Sequence, residues 1–122
     1  MELTTVLTGV LWNRLVAIVD EAAAGLVRTS YSIVVRDYHD YCVGVFDRDG
    51  NMLAHSTKTT AGFIGIMPIV MKNFLTKFPV DGIEKGDVLI TNDPWAATGH
   101  LLDITIATPI WHAEAIIGFA VC

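Results

Sequence analysis

Residues 41–55 read Tyr-Cys-Val-Gly-Val-Phe-Asp-Arg-Asp-Gly-Asn-Met-Leu-Ala-His, and this stretch decides the fold class. Residues 41–46 are rich in β-branched and aromatic side chains, which favour a strand. The run at 47–51 is a strong turn signal, because Asp and Asn side chains stabilise turns and Gly tolerates a left-handed backbone. Residues 52–55 return as a second strand, so the stretch predicts a β-hairpin.

Helical patterns flank the hairpin on both sides. From residue 8 to residue 28 apolar side chains recur with a helical period, and Thr5 or Thr8 is placed to cap this helix. The apolar stripe consists of Leu11, Leu15, Ile18, Val19, Ala22 and Leu26. A second helix is predicted over residues 67–77, with Pro68 in its first turn, where a missing N–H costs nothing.

Two connecting segments are predicted to be non-helical. Residues 31–35, Tyr-Ser-Ile-Val-Val, favour a strand because of their β-branched content, and they lead into a polar cluster at 36–40. Residues 56–65 are small, polar and glycine-containing, which is typical of a loop.

The C-terminal third predicts three strands. They cover residues 87–91, 104–110 and 115–121, with Pro109 near a strand end or on a sheet edge and the last two strands forming a hairpin. The order is therefore helix, hairpin, helix and three strands, which indicates an α+β fold.

Composition limits the size and class of the protein. At 122 residues the chain forms one domain at most, and its 52% apolar content requires deep burial or a covering partner. Residues 113–122 read as a strand that stops without a closing turn. We therefore expect residues 1–122 to be a single N-terminal segment of a larger domain, or a small subunit completed by another chain.

Charge and hydropathy exclude several partners. A net charge of −5 and the lack of a Lys/Arg cluster argue against nucleic acid and anionic lipid. No stretch approaches the ~20 apolar residues of a membrane span. Residues 1–5 lack the basic start of a signal peptide, so a cytoplasmic protein is expected.

The turn-rich loop at residues 91–103, Thr-Asn-Asp-Pro-Trp-Ala-Ala-Thr-Gly-His-Leu-Leu-Asp, carries the strongest chemical signal. His100 and Asp103 supply one nitrogen and one oxygen ligand at a spacing that suits a divalent metal. The same spacing arises by chance, and a hydrogen-bonded loop histidine is the alternative. Gly99 is expected to supply a backbone angle that other residues resist, and Trp95 to form a pocket wall or a packing contact.

The polar cluster at residues 36–40 contains further candidates. If the cluster is extended, Asp40 and Tyr38 share one face and Asp37 and His39 the other. Asp37 is expected to be solvated or paired with Arg36. His39, His55 and His112 are expected to have no functional role.

With these segments in place, the chain resembles the N-terminal part of the hydantoinase B family. That family includes B subunits of ATP-dependent N-methylhydantoinases, the matching half of 5-oxoprolinases, and subunits of acetone and acetophenone carboxylases. The resemblance rests on five blocks in order, at residues 13–32, 40–50, 65–68, 86–94 and 99–105.

The resemblance implies a metal site and a partner. It places metal ligands at Asp40, His100 and Asp103, with a further histidine beyond the end of this chain. This set of oxygen and nitrogen donors suits zinc or manganese. Trp95 and Gly99 lie where substrate is expected, and a hydantoinase A-type subunit is expected to bind ATP. The loop departs from the family at residues 96–99, where many members carry paired glycines.

The function implied by the resemblance is ATP-dependent opening of a cyclic amide such as a hydantoin, a lactam or oxoproline. Carboxylation of a ketone and a non-catalytic assembly role are the alternatives. The sequence has neither a Walker A motif nor a dinucleotide fingerprint, and no Gly-x-Ser-x-Gly elbow. We therefore expect this chain to be inactive without its partner and the remainder of the B-type chain.

Overall fold

The computed structural model describes residues 4–122, and it places helices on both faces of a five-stranded antiparallel sheet. The helices are α1 (Thr5–Thr29), α2 (Ile33–Tyr38) and α3 (Ala61–Lys77), followed by a short 3-10 helix (Val80–Gly82). The strands are β1 (Gly44–Asp47), β2 (Met52–His55), β3 (Leu89–Thr91), β4 (Thr105–His112) and β5 (Ala115–Val121). The predicted α+β class is confirmed.

The sheet order is β2-β1-β5-β4-β3, so the first hairpin lies beside the last one. Gly44 of β1 pairs with Val121 of β5, and Ala107 of β4 pairs with the same Val121. Pro109 lies beyond the end of β3, where β4 has no neighbour on that side, as expected for a residue without an N–H.

The β1–β2 turn forms as the sequence predicts. Asp47 accepts hydrogen bonds from the backbone N–H groups of Asp49 and Asn51, at 3.0 and 2.7 Å, and from the Asn51 side chain. Burial of the Asp47 carboxylate raises its pKa, but the hydrogen bonds stabilise the charged form and lower the pKa by more. The pKa of Asp47 therefore lies below its usual value. Gly50 has a φ of 78°, which is the left-handed conformation expected for this turn.

Helix α1 begins earlier than predicted. Thr4 caps it by accepting a 3.3 Å hydrogen bond from the N–H of Leu7, so the prediction of Thr5 or Thr8 as the cap is wrong. Thr8 lies inside the helix, where its hydroxyl donates to the carbonyl of Thr4. Of the predicted stripe only Val19 is fully buried, together with Ala23 outside it, because α1 packs mainly on β2, with smaller contacts to β1 and α2.

The predicted strand at residues 31–35 is wrong, because Ile33–Tyr38 is helix α2. The Ser32 hydroxyl accepts from the N–H of Val35 at 3.4 Å, and His39 ends the helix in the left-handed conformation with a φ of 55°. Caps at both ends thus outweigh the strand preference of the β-branched residues. The expected alternation of faces within residues 36–40 assumed an extended backbone, so it is wrong as well.

Helix α3 starts six residues before the predicted start at Met67, so the C-terminal half of the predicted loop at 56–65 is helical. Pro68 lies inside the helix, and its placement in the first turn is wrong. Two glycines in this segment lower its intrinsic helix preference. Packing prevails over that preference, since the helix buries four side chains: Met67, Val70, Met71 and Phe74.

The two faces of the sheet support separate apolar clusters. On the α3 face, Phe46 and Phe119 pack with Met71, and all three are almost inaccessible to solvent. On the α1 face a smaller cluster unites Val19 and Ala23 with Val43. Within residues 4–122 no helix is long and apolar enough to cross a membrane.

Candidate functional site

A cavity of about 280 Å³ lies where the end of α1, the start of α3 and the loop before β4 meet. Its walls are mainly apolar and include Leu26, Val35, Phe63, Met67, Ile104 and Ile106. Its polar boundary includes Asp40, Thr98 and Asp103. Two of the three predicted metal ligands therefore border one cavity, although they are distant in sequence.

His100 and Asp103 approach each other at the rim of this cavity. His100 Nε2 lies 3.2 Å from Asp103 Oδ2, and the two side chains are 54% and 27% exposed. Asp103 Oδ2 is nevertheless buried and has no hydrogen-bond partner within residues 4–122. The contact does not meet the geometry of a hydrogen bond, so this oxygen is left without a hydrogen-bond partner in the described residues.

The loop that carries His100 is built from local hydrogen bonds. Asp93 Oδ1 accepts from the N–H of Trp95 at 3.0 Å, and Asn92 donates to the carbonyl of Leu101 at 3.2 Å. These bonds confirm that this segment is a turn-rich loop, in which Asn and Asp side chains bond the local backbone. Gly99 has a φ of 94°, which confirms the expected left-handed backbone immediately before the histidine.

Asp40 is held by the N-terminus of α3. The Thr60 hydroxyl donates to Asp40 Oδ1 at 3.0 Å, and the Asp40 N–H donates to the carbonyl of Val34 at 3.1 Å. Thr60 occupies the cap position of α3 but makes no side-chain cap bond. Its hydroxyl is directed to Asp40 instead, so this carboxylate has a defined position at the cavity wall.

The remaining titratable neighbours have separate roles. Asp37 pairs with Arg36 at 2.8 Å, as predicted. His55 Nδ1 lies 2.9 Å from the carbonyl of Ser56, and His112 is exposed in β4. Across residues 4–122 no three His, Cys, Asp or Glu side chains converge closely enough to hold a metal by themselves.

Two thiols also border the cavity. Cys42 and Cys122 are both free, and burial raises the pKa of each. Cys42 is buried within the apolar cluster on the α3 face. A raised pKa keeps both groups as neutral thiols, which are poor nucleophiles.

Trp95 lies apart from the cavity. Its side chain is 96% exposed, and it neither packs on the core nor lines the cavity. Its assignment to substrate binding, like that of Gly99, stays a prediction.

Thr60 and Thr98 are site residues that the sequence reasoning missed. Thr98 lines the cavity, and its buried Oγ1 has no hydrogen-bond partner within residues 4–122. In the sequence, Thr98 could be identified only by its position next to Gly99 and His100. Thr60 is marked only as a polar residue ahead of an apolar segment.

Comparison with known proteins assigns the chain to a family. The family model described as hydantoinase B/oxoprolinase matches residues 4–122. An uncharacterised protein of Methanocaldococcus jannaschii is 35% identical over 105 residues, which cover 84% of this chain and 18% of that protein. A 5-oxoprolinase of Dictyostelium discoideum is 29% identical over 122 residues, which cover 97% of this chain and 9% of that enzyme.

A solved structure shows the same fold. The chain superposes on an acetone carboxylase, described in its nucleotide-free form, with a TM-score of 0.79 and 24% identity over 93% of this chain. The match covers 15% of the carboxylase chain, so this protein spans less than a fifth of each of these relatives. By its fold, its sequence blocks and the match of residues 4–122, the chain belongs to the hydantoinase B/oxoprolinase family.

Proposed function

We propose that this chain is the metal-binding segment of a B-type subunit of an ATP-dependent cyclic-amide hydrolase, which opens a hydantoin, lactam or oxoproline ring. A hydantoinase A-type partner would bind ATP, as the family resemblance implies. Family membership supports a B-type subunit. The metal, the partner and the reaction are part of the proposal.

The contact between His100 and Asp103 carries the proposal. A nitrogen and an oxygen that bind one ion, each at about 2.0–2.2 Å, lie about 3 Å apart. The observed distance between His100 Nε2 and Asp103 Oδ2, 3.2 Å, is close to this separation. Asp103 Oδ2 is also a buried carboxylate oxygen without a hydrogen-bond partner in residues 4–122, and a cation would satisfy it.

The donor set fits zinc or manganese. Imidazole and carboxylate ligands suit both ions, and Asp40 is a second oxygen donor that borders the same cavity as Asp103. Because the described residues bring no three donors together, the remaining ligands would come from the rest of the B-type chain. Thr60 fixes the orientation of Asp40 for this role.

The residues at the cavity and its rim would each have a distinct role. His100, Asp103 and Asp40 would hold the ion, which when bound polarises a carbonyl oxygen or lowers the pKa of water. The apolar walls of the cavity would exclude bulk water from the ring. Thr98 would offer its unpaired hydroxyl to a polar atom of the substrate.

Elemental analysis of the B-type chain that contains residues 1–122 tests the metal site, with and without its copurifying partner. We expect near-stoichiometric zinc or manganese, a loss of metal in His100→Ala, and wild-type content in His112→Ala. His112 is the matched control because it is exposed on β4 and does not border the cavity. Equal metal content in both variants would refute the assignment of His100. No metal in any sample would leave an assembly role for the chain.

Ketone carboxylation is the second candidate, because the acetone carboxylase shares this fold. Product analysis distinguishes the two reactions. With the reconstituted complex and ATP, ring opening converts a hydantoin into an open-chain amide or acid. Carboxylation instead incorporates labelled bicarbonate into a ketone. Incorporation without ring opening would replace the hydrolase proposal with the second candidate.

A further inference from the structure

A long segment without helix or strand carries two of the proposed ligands. Residues 92–104 join β3 to β4, and His100 and Asp103 lie in the second half of this segment. Asp103 lies close to Thr105, which begins β4 and is only 3% exposed. His100 lies further from the sheet, and its side chain is 54% exposed. Its position relative to Asp103 therefore depends on how the first half of the segment is held.

One side chain of α3 is bonded to this segment. Asn73 Nδ2 donates to the carbonyl oxygen of Ala96 at 3.0 Å, across 23 positions of the sequence. Within residues 4–122 this is the only hydrogen bond between residues 92–104 and a helix. The other hydrogen bonds of the segment are internal or involve the adjoining Thr91. Asn73 thus connects the segment to the body of the protein.

Both ends of this bond are well fixed. Asn73 immediately precedes Phe74, which is 4% exposed and belongs to the apolar cluster on the α3 face. At the other end, the carbonyl of Asp93 accepts from the N–H groups of Ala96 and Ala97 at 3.1 and 2.9 Å. Ala97 also packs against the same apolar cluster. The hydrogen bond therefore joins a helix anchored in the core to a turn of defined shape.

Neither burial nor helix preference accounts for an asparagine at position 73. Its side chain is exposed, so it fills no space in the core. Asparagine is also among the weaker helix formers, because its amide competes with the helical backbone for hydrogen bonds. In α3 that amide satisfies a carbonyl of the loop instead. The contribution of Asn73 therefore lies in holding the turn at Ala96.

The turn at Ala96 leads directly to the proposed ligands. Thr98 lines the cavity, and Gly99, with a φ of 94°, redirects the chain immediately before His100. His100 Nε2 then lies 3.2 Å from Asp103 Oδ2. Because so few residues separate Ala96 from His100, a shift of the turn displaces the imidazole. A metal site loses affinity when its ligands are displaced by as little as about 0.5 Å.

We infer that Asn73 is a positioning residue, which holds the turn at Ala96 and thereby keeps His100 at ligand distance from Asp103. It acts through the backbone of the segment and is not itself a ligand. The inference rests on the proposed function, since it assigns a support to the same metal site.

Asn73→Leu tests this role, because leucine keeps the approximate size of the side chain, removes the donor and raises the helix preference. The variant is made in the B-type chain that contains residues 1–122, with its copurifying partner. We expect the affinity for manganese, measured by calorimetry, to fall about tenfold, the lower end of the range for loss of a support to a metal ligand. The electron paramagnetic resonance spectrum of bound manganese should also change, because it reports the arrangement of the ligands.

Asn73→Gln and Asn13→Leu are the matched controls. Glutamine keeps the amide donor on a longer side chain, so Asn73→Gln should restore most of the affinity and the wild-type spectrum. Asn13 is likewise an exposed asparagine inside a helix, and its side chain forms no hydrogen bond within residues 4–122. Asn13→Leu should therefore bind manganese like the wild-type protein.

Hydrogen exchange of the metal-free protein measures the same support without the ion. Removal of the bond from Asn73 should let the segment open more often. We expect residues 92–104 to exchange several-fold faster in Asn73→Leu than in the wild-type protein. The strands β1 and β2 should exchange at unchanged rates.

The outcomes separate this inference from the proposed function. Unchanged exchange of residues 92–104 in Asn73→Leu would overturn the inference whatever the metal result. Wild-type affinity in that variant, an equal loss in Asn13→Leu, or weaker binding with an unaltered spectrum would overturn it while the metal site stands. No manganese in the wild-type protein, combined with faster exchange in Asn73→Leu, would overturn the metal site and still support Asn73 as the residue that holds the turn at Ala96.

Discussion

At the scale of single residues, the hydroxyl of Thr60 is the least expected part of the site. A threonine at a helix start ordinarily accepts a hydrogen bond from the helix backbone. Thr60 instead donates to Asp40 Oδ1 at 3.0 Å and leaves the α3 backbone without a side-chain cap. The bond fixes one oxygen of a proposed metal ligand.

Replacement of Thr60 by valine should weaken metal binding. Valine preserves the shape of the side chain but removes the donor, so Asp40 loses its fixed orientation. Loss of a hydrogen bond to a metal ligand typically lowers metal affinity about 10–100-fold. We expect a decrease of this size in Thr60→Val, measured as the dissociation constant for manganese by calorimetry.

Thr60→Ser is the matched control, because it keeps the hydroxyl. It should bind manganese like the wild-type chain, and thermal unfolding should show both variants folded at the temperature of the titration. If the two variants bind manganese equally, Thr60 has no positioning role.

The site residues differ in how far the sequence reveals them. His100 and Asp103 come together through local spacing, so their contact is predictable from sequence alone. Asp40 and Thr60 lie 20 positions apart and meet only because the start of α3 packs against the segment after α2. No local pattern reports such a contact, and the strand predicted at residues 31–35, ahead of Asp40, is wrong.

At the scale of elements, the strands were more predictable than the helix boundaries. The β1–β2 hairpin follows from its turn residues, and β5 is the predicted hairpin partner of β4. Helix α2 was missed because Ser32 and His39 supply caps that local propensity does not count. Helix α3 was shortened because its first turns contain glycine, and only burial of Met67 and its neighbours stabilises them.

Gly118 in β5 allows three strands to pack side by side. It pairs with Asp47 of β1 and Ile110 of β4, and a Cβ there would collide with the backbone carbonyl of Phe46. Since Phe46 O is part of the backbone, the collision is relieved only by separating the strands. The sequence shows a glycine within a predicted strand, but only the strand register shows that this glycine faces the carbonyl of Phe46.

Gly118→Ala should therefore destabilise the fold. Overpacking usually costs about 1–3 kcal/mol, and we expect at least about 3 kcal/mol here because no side chain can yield. Gly25→Ala is the control, since a Cβ at Gly25 in α1 meets nothing within 4 Å. It should stabilise the chain by about 0.5–1 kcal/mol. Denaturant unfolding followed by circular dichroism measures both, and similar midpoints for the two variants would contradict the argument.

At the scale of the whole molecule, the two faces of the sheet are unequally covered. Helix α1 packs on β1 and β2, whereas the same face of β5, β4 and β3 lies open. Ile90 on the edge strand β3 is 62% exposed beside its partner Ile106, and Thr108 and Ala120 are exposed on the same face. An apolar face next to an unpaired strand edge promotes association.

Ile90→Lys should reduce self-association of the isolated chain. The charge interrupts the apolar face and also blocks pairing at the β3 edge. Val6→Lys is the control, because Val6 is 78% exposed on α1 and lies away from this face. Sedimentation velocity should show a smaller average mass only for Ile90→Lys. An equal decrease in both variants would point to net charge instead of the sheet face.

The pairing of β1 with β5 has a consequence for the nascent chain on the ribosome. Gly44 and its neighbours are synthesised long before Val121, their partner in the sheet. At about 5–20 residues per second, β1 is complete several seconds before β5 exists. During that interval the inner edge of β1 and the side chain of Phe46 lack the strand and the Phe119 ring that cover them in the folded protein.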